Sequence, residues 1–470
     1  MIKFGTGGFR AVIGEDYTRA NVELVGQALC EILQSDGLTE KPVVIGFDNR
    51  FLSPESARWL AEVFAANQIP VFLFEQACPT PMVMFAVQEL RLNLGCMITA
   101  SYNPADYNGI KLVLAGGRDA DVEFTSRLEQ VCLRLASQAS ADPAEFTQVK
   151  SGLIKFFDNS NEYLDHMLTL IDQPVIRAAR LKILFDPMYG VAGRWVNSLL
   201  ASLRCSVDII HNYRDPLFGG QLPAPLPTTT QELQLQVPQN HYDFGIATDG
   251  DADRIGVVDI DGSYLDCNNI LALVYYYLLK YRHLQGDVVR NLGTSTMVDR
   301  IAADFGYHAY EVPVGFKFIT ETMRKHDALL GGEASGGLTT RNYLQGKDSV
   351  FAAILLVEIV AKTGLSLGEL MAEIHQKYGQ LYQFEQEITF DKLGKGREQL
   401  TSILTVPVVS ADNEDVREIS YTDGQKVYFK DGWALVRLSG TEPLLRISCE
   451  ANTPTKLSEY QELIKRGLRL

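Results

Sequence analysis

The chain has 470 residues, 46% of them hydrophobic and 21% charged, with a net charge of −15. That length holds about three or four average domains with ample core. The acidic balance excludes nucleic acid or an anionic membrane as the expected partner, while leaving room for a local basic cleft that takes small anions. Seven dispersed cysteines without a C-x-x-C pair fit reduced core thiols. The start, MIKFGTGGFR, has no apolar targeting core, and Ile270–Leu279 is too short to span a bilayer. The expectation is a soluble, cytoplasmic protein of open oligomeric state.

Taken in order, residues 3–10 (KFGTGGFR) place Arg10 at the end of a Gly/Thr loop, either as a solvated arginine after a turn or as an anion contact. A strand–loop–helix–strand pattern then occurs three times. It begins at Val43–Asp48, at Leu181–Asp186 and at Asp287–Leu292, and each copy suits a parallel or mixed sheet. The expected domains are 1–153, 154–256, 257–378 and 379–470. The stretch Ser137–Ser151 is polar and weakly patterned, as a join should be. After Gly379, alternation in Tyr382–Asp391, a hairpin signal at Asp431-Gly432 and an amphipathic helix Thr455–Leu468 predict an antiparallel α+β domain.

Four loops carry chemistry. Ile98–Lys111 (ITASYNPADYNGIK) reads as strand, structured loop, strand, and displays Ser101 either as a hydroxyl nucleophile or as the start of an Asn-Pro turn. Phe244–Ile260 sets DGDADR between two apolar strands. Asp249, Asp251 and Asp253 repel one another unless a cation offsets them. An EF-hand is excluded because its sixth and twelfth positions are here Arg254 and Ile260. A solvated acidic turn and an oxygen-ligated Mg²⁺ site remain. Leu330–Thr340 (LGGEASGGLTT) puts Glu333 and Ser335 among glycines, as a flexible turn or as a reader of sugar hydroxyls. Upstream, Lys317 sits at an expected helix start, reaching an anion or solvent. Asp348 reads as a helix N-cap rather than a ligand. Arg437–Pro443 (RLSGTEP) is either a polar hairpin turn or an anion cradle built from Arg437, Ser439, Gly440 and Thr441, with Arg446 a further candidate. There is no P-loop, no G-x-G-x-x-G and no H-E-x-x-H.

TASYNP, DGDADR, GEASGG and RLSGTEP, in that order, closely resemble the four active-site loops of the α-D-phosphohexomutase superfamily. The match runs from Gly5 to Arg446. The resemblance implies three similar α/β domains with mixed sheets and a C-terminal antiparallel α+β domain, all four around a central cleft. It implies a phosphorylated Ser101, and Mg²⁺ held by Asp249, Asp251, Asp253 and the phosphoserine. Glu333 and Ser335 would read sugar hydroxyls, and Arg437, Ser439, Gly440 and Thr441 would grip the non-reacting phosphate. Arg10 and Lys111 fall at the family's basic pair near the phosphoserine, and Arg254 follows the metal loop as it does there. The implied partners are hexose phosphates, glucose before mannose, with glucose 1,6-bisphosphate as activator. Phosphoglucosamine is an alternative substrate, and a silent sugar-phosphate sensor an alternative role. Two departures stand out. Tyr102 replaces a histidine that members often carry in the serine loop, and Gly337 replaces one that some carry at the end of the sugar loop. That leaves Lys111 as the first choice of general base, provided Arg10 and burial depress its pKa.

Overall fold

The apolar runs that alternate with amphipathic stretches form four sheets. In the computed structural model the described residues are 2–5, 7–138, 152–394, 396–439 and 444–468. They fall into two compact units, Met1–Ile270 with Ser335–Gly368, and Leu271–Ala334 with Glu369–Leu470.

The first unit holds two sheets. One uses β1 (Phe4–Gly5), β2 (Gly8–Val12), β3 (Val43–Phe47), β4 (Val71–Phe74), β5 (Leu94–Ile98), β6 (Tyr107–Leu114), β7 (Arg118–Asp119) and β8 (Ile154–Phe157). Their order is β1-β2-β6-β5-β3-β4-β8, with β7 on β6. β3 runs parallel to β4 and β5, while β6 is antiparallel to β5 and β2. Helix Arg19–Ser35 starts at Thr18, whose hydroxyl accepts the Asn21 N–H. Its Val22, Val25, Leu29 and Leu33 fall on one helical face and are buried in the core with Leu60, Phe64, Ile45 and Ile98. The second sheet orders β9 (Lys182–Asp186), β10 (Ser206–Ile209), β11 (Phe244–Thr248), β12 (Ile255–Asp259) and β13 (Tyr264–Leu265) as β10-β9-β11-β12-β13. The joins expected near 153 and 256 thus abut β8 and cut β12. An edge strand such as β8 has weak sequence punctuation because only its pairing with β4 defines it. Most of Ser137–Ser151 lies outside the described residues.

In the second unit β14 (Val288–Asn291) runs parallel to both β15 (Ala309–Val312) and β16 (Leu330–Gly332). β17 (Leu338–Thr340) follows in the first unit. The last sheet is antiparallel, β18 (Tyr382–Thr389), β19 (Val416–Ser420), β20 (Gln425–Phe429), β21 (Gly432–Leu438) and β22 (Leu444–Ala451) in the order β18-β22-β21-β20-β19. The hairpin is real but shifted by one residue. Phe429 pairs with Gly432, so Lys430 and Asp431 form the turn. Gly432 belongs to the strand for a steric reason, since a Cβ there would lie 1.9 Å from the Glu450 carbonyl oxygen.

Helix Ser349–Thr363 is buried along most of its length, as its uniformly apolar sequence requires. Among the described residues no single helix is long and apolar enough to cross a membrane. Asp348 caps this helix as expected. One carboxylate oxygen accepts the N–H groups of Val350 and Phe351 (2.8 and 3.0 Å), and the other accepts the hydroxyls of Tyr163 and Tyr343 (2.7 and 2.6 Å). Burial pushes this carboxyl up to about 6, against hydrogen bonds that all favour its ionised form. A folded pKa above the unfolded one means a stabilising contribution present below about pH 4 and lost as the pH rises through about 6. Asp348→Asn removes that titration. The stability gap between wild type and variant is expected to narrow by up to about 3 kcal/mol from pH 4 to pH 7. Thermal melts at matched pH values check this, and a pH-independent gap would count against it.

Candidate active site

Ser101 lies just beyond β5, whose five residues are all buried. Its backbone is held at φ 53°, in the left-handed region that costs a non-glycine residue energy. Three contacts hold it there. Its N–H donates to the Thr99 hydroxyl (2.8 Å), its carbonyl accepts from Arg50 (2.6 Å), and its own hydroxyl donates to Asp249 Oδ2 (2.6 Å).

Arg50 is the residue that sequence reasoning missed. Its fully buried guanidinium donates to four carbonyls of the serine loop: Ser101 and Asn103 at 2.6 Å each, Pro104 at 2.7 Å and Tyr107 at 3.0 Å. Asp48 lies 3.4 Å from its Nε and also accepts the Thr99 and Ser53 hydroxyls at 2.6 and 2.7 Å. The available signal was a charged pair at the carboxyl end of a buried parallel strand, where α/β folds place their ligands.

The DGDADR loop joins β11 to β12. One Asp249 oxygen accepts the N–H groups of Asp253 and Arg254, both at 2.9 Å, which closes the loop on itself. Ala252 at the tip has φ 62°. Asp249, Asp251 and Asp253 are buried, with carboxylate oxygens within 4.8 Å of one another. Among the described residues, Oδ1 of Asp251 and Oδ1 of Asp253 are buried without a hydrogen-bond partner. Converging, orphaned oxygen acceptors beside a serine hydroxyl fit a hard divalent cation. Burial, then the neighbouring Asp253 and Asp251, hold Asp249 well above the usual carboxylate range.

Lys111, on β6, puts its ammonium 2.5 Å from Asp251 Oδ2 and 2.6 Å from Asp253 Oδ2. Burial pulls its pKa down, but the two carboxylates outweigh burial and hold it above its ordinary value. The depressed pKa expected of a lysine base is therefore not found; the direction is the reverse, set by Asp251 and Asp253. Asp253 responds in the opposite sense: burial raises it, and Lys111, Lys347 and Arg254 together bring it below its ordinary value.

Tyr102, unassigned by sequence, has two arginines against its ring. The Arg254 guanidinium carbon sits 3.7 Å from its ring centroid and that of Arg10 5.4 Å. Arg10 also donates to the Asn103 side chain at 2.7 Å. The first unit thus assembles Arg10, Ser101, Lys111, Asp249, Asp251, Asp253 and Arg254 at one place. Ser335 opens its second stretch.

The second unit carries the other described candidates. Lys317 is in the first turn of helix Phe316–His326, as expected. Glu333 is buried and accepts from Asn291 at 3.1 Å. Arg437 and Arg446 stand directly opposite on β21 and β22, where like charges repel. Asp423 (3.4 Å) and Glu387 (2.9 Å) offset them. The Ser439 carbonyl accepts from Arg397 at 2.7 Å. Gly440 and Thr441 lie outside the described residues.

A serine with left-handed backbone, a buried aspartate triad and several cations thus share one part of the α/β sheets. Descriptions of phosphoglucomutase/phosphomannomutase alpha/beta/alpha domains I, II and III match residues 1–139, 161–262 and 266–378, and the C-terminal domain matches 397–466. The chain belongs to this family, within the α-D-phosphohexomutase superfamily, whose members are isomerases of the phosphohexomutase type. It is 29% identical over 99% of its length to a phosphoglucomutase/phosphomannomutase of Thermococcus kodakarensis, 98% of which is covered. It is 30% identical over 97% of its length to a phosphoglucosamine mutase of Synechococcus elongatus, with 92% covered. A phosphomannomutase-type crystal structure from Thermus thermophilus superimposes with a TM-score of 0.85, at 28% identity, covering 100% of this chain and 99% of that one.

Proposed function

We propose that this enzyme interconverts hexose 1-phosphates and hexose 6-phosphates, glucose first and mannose second, through phosphorylated Ser101 and a hexose 1,6-bisphosphate. The observation that carries the proposal is the Ser101 hydroxyl 2.6 Å from Asp249 inside the aspartate triad. Asp249, Asp251 and Asp253 would hold Mg²⁺ together with the serine oxygen. When bound, that ion offsets the charge of the phosphoryl group.

The protein's own part is alignment and charge compensation, which is most of what phosphoryl transfer demands. Arg50 fixes the serine loop. Lys111, Arg10 and Arg254 keep positive charge at the phosphoserine. A substrate hydroxyl oxygen forms the new bond to phosphorus as the bond from phosphorus to Ser101 Oγ breaks, and the hydroxyl proton ends on Ser101 Oγ. The bisphosphate so formed turns end for end and returns its other phosphoryl group to Ser101. Arg437, Ser439, Gly440, Thr441 and Arg446 take the phosphate that is not reacting. Lys317, Glu333 and Ser335 take the sugar side. Glucose and mannose precede glucosamine because GEASGG resembles the GEESGG sugar loop of phosphoglucomutase/phosphomannomutase relatives more than the GEQSGH loop of phosphoglucosamine mutases. All seven cysteines are free, six of them buried, consistent with work in the reducing cytoplasm.

The test is turnover of glucose, mannose and glucosamine 1-phosphates with Mg²⁺ and trace glucose 1,6-bisphosphate as activator, beside intact mass after bisphosphate treatment. Mutase turnover and one added phosphate are expected. Release of inorganic phosphate would instead mark a phosphatase, and binding without turnover a sensor.

A further inference from the structure

Gly337 and Lys347 occupy one another's space. A Cβ at position 337 would lie 2.0 Å from Cδ of Lys347, 2.4 Å from its Cγ and 3.2 Å from its Cβ. Gly337 is not among the residues with positive φ, unlike Gly336 at 96°, so its value at this position is room and not backbone freedom. The lysine stem fills that room and brings Nζ to 3.3 Å from Asp253 Oδ2, with only 15% of the side chain exposed. Both ends of the arrangement are tied to the metal loop. The Ile255 N–H donates to the Gly336 carbonyl at 3.2 Å, and the Ser349 N–H to the Ala252 carbonyl at 3.1 Å. Asp348, anchored by its four hydrogen bonds, fixes the root of the lysine. A stem so confined has little freedom to lead its ammonium elsewhere.

We infer that Gly337 and Lys347 act as one device, with the glycine leaving the channel through which Lys347 delivers a further fixed positive charge to the metal loop. Asp253 then faces Lys111 at 2.6 Å, Lys347 at 3.3 Å and Arg254 at 3.8 Å. Lys347 is a positioning residue here. Its charge opposes over-tight cation binding at the triad and offsets the charge of the phosphoryl group on the neighbouring Ser101. The second effect rests on the mutase reading above, whereas the first does not.

The test is a double-mutant cycle on full-length protein. Lys347→Met keeps the stem and removes the charge. Gly337→Ala displaces the stem. Lys347→Arg keeps the charge. Mg²⁺ affinity is read by calorimetry on chelator-stripped protein, and kcat and KM on glucose 1-phosphate. Lys347→Met should bind Mg²⁺ about tenfold more tightly, since a like charge close to the cation is gone, while kcat falls by about tenfold or more with KM less affected. Gly337→Ala should move both readings the same way and add little in the Lys347→Met background. Lys347→Arg should leave the affinity near wild type. Misfolding would weaken Mg²⁺ binding, so tighter binding with slower turnover is diagnostic. Unchanged Mg²⁺ affinity in Lys347→Met, or additive effects in the double variant, would overturn the inference. Absence of mutase turnover in the wild type would overturn the functional reading alone, and the Mg²⁺ cycle would still decide this one.

Discussion

Ser101→Ala is expected to reduce hexose phosphate mutase turnover by about 10⁴-fold or more, because the group that carries the phosphoryl between the two half-reactions is gone. The variant should still fold. Alanine at φ 53° bears the same left-handed backbone cost as serine, and the Arg50 and Thr99 contacts to the main chain at 101 persist. One buried acceptor changes, since Asp249 Oδ2 loses the donor that sits 2.6 Å away. That places the stability cost at about 1–3 kcal/mol. Three measurements separate the cases. Turnover should vanish, intact mass after bisphosphate treatment should show no added phosphate, and the thermal transition should move only slightly. A variant that keeps wild-type turnover would show that the phosphoryl group travels by another residue, and the proposed mechanism would fall with it.

The contrast between Ser101 and Arg50 shows what the sequence made legible. Ser101, the aspartate triad, the sugar loop and the RLSGTEP stretch are short local strings; each alone left a bland turn as an alternative, and their joint order, through the family resemblance, pointed to anion and cation chemistry. The Asp348 cap was readable because a cap acts within three residues of itself. Arg50 left only the weaker trace of a charged pair after a buried strand. Its partners are backbone carbonyls some fifty residues on, and any residue type would present the same carbonyls. Lys111 was legible as a position but not as a charge state. Its ammonium pairs with Asp251 and Asp253, 140 and 142 residues away in sequence. Tyr102 looked like an unexplained substitution until Arg254 and Arg10 were found against its ring. The Asp431-Gly432 turn was misplaced by one residue because glycine serves two purposes, and only the cross-strand approach of Glu450 tells them apart.

Arg50→Met should cost stability and catalysis together, and the two losses have separate causes. The guanidinium is the counter-charge of Asp48, and both side chains are fully buried. Removing it leaves an uncompensated buried carboxylate and strips the donor from four carbonyls. The expected destabilisation is about 3–5 kcal/mol. Methionine fills much of the volume, so this loss reports charge and hydrogen bonding and not an empty cavity. The catalytic loss arises because this fork ties four carbonyls of the serine loop to one point. With the Ser101 carbonyl released, only the Thr99 and Asp249 contacts oppose relaxation from φ 53° towards ordinary backbone, and the hydroxyl is no longer held as firmly against Asp249. A kcat lower by about 10²-fold is expected from such a misplacement. Arg50→Lys discriminates the two causes. A lysine restores the charge beside Asp48 but lacks the planar fork that serves two pairs of carbonyls. It should therefore recover much of the stability and little of the turnover. Thermal unfolding and kcat on glucose 1-phosphate, measured on the same three proteins at a temperature where all are folded, decide it. Full recovery of turnover by lysine would show that charge alone matters at position 50, and a methionine variant as stable as wild type would show that the buried pair with Asp48 is dispensable.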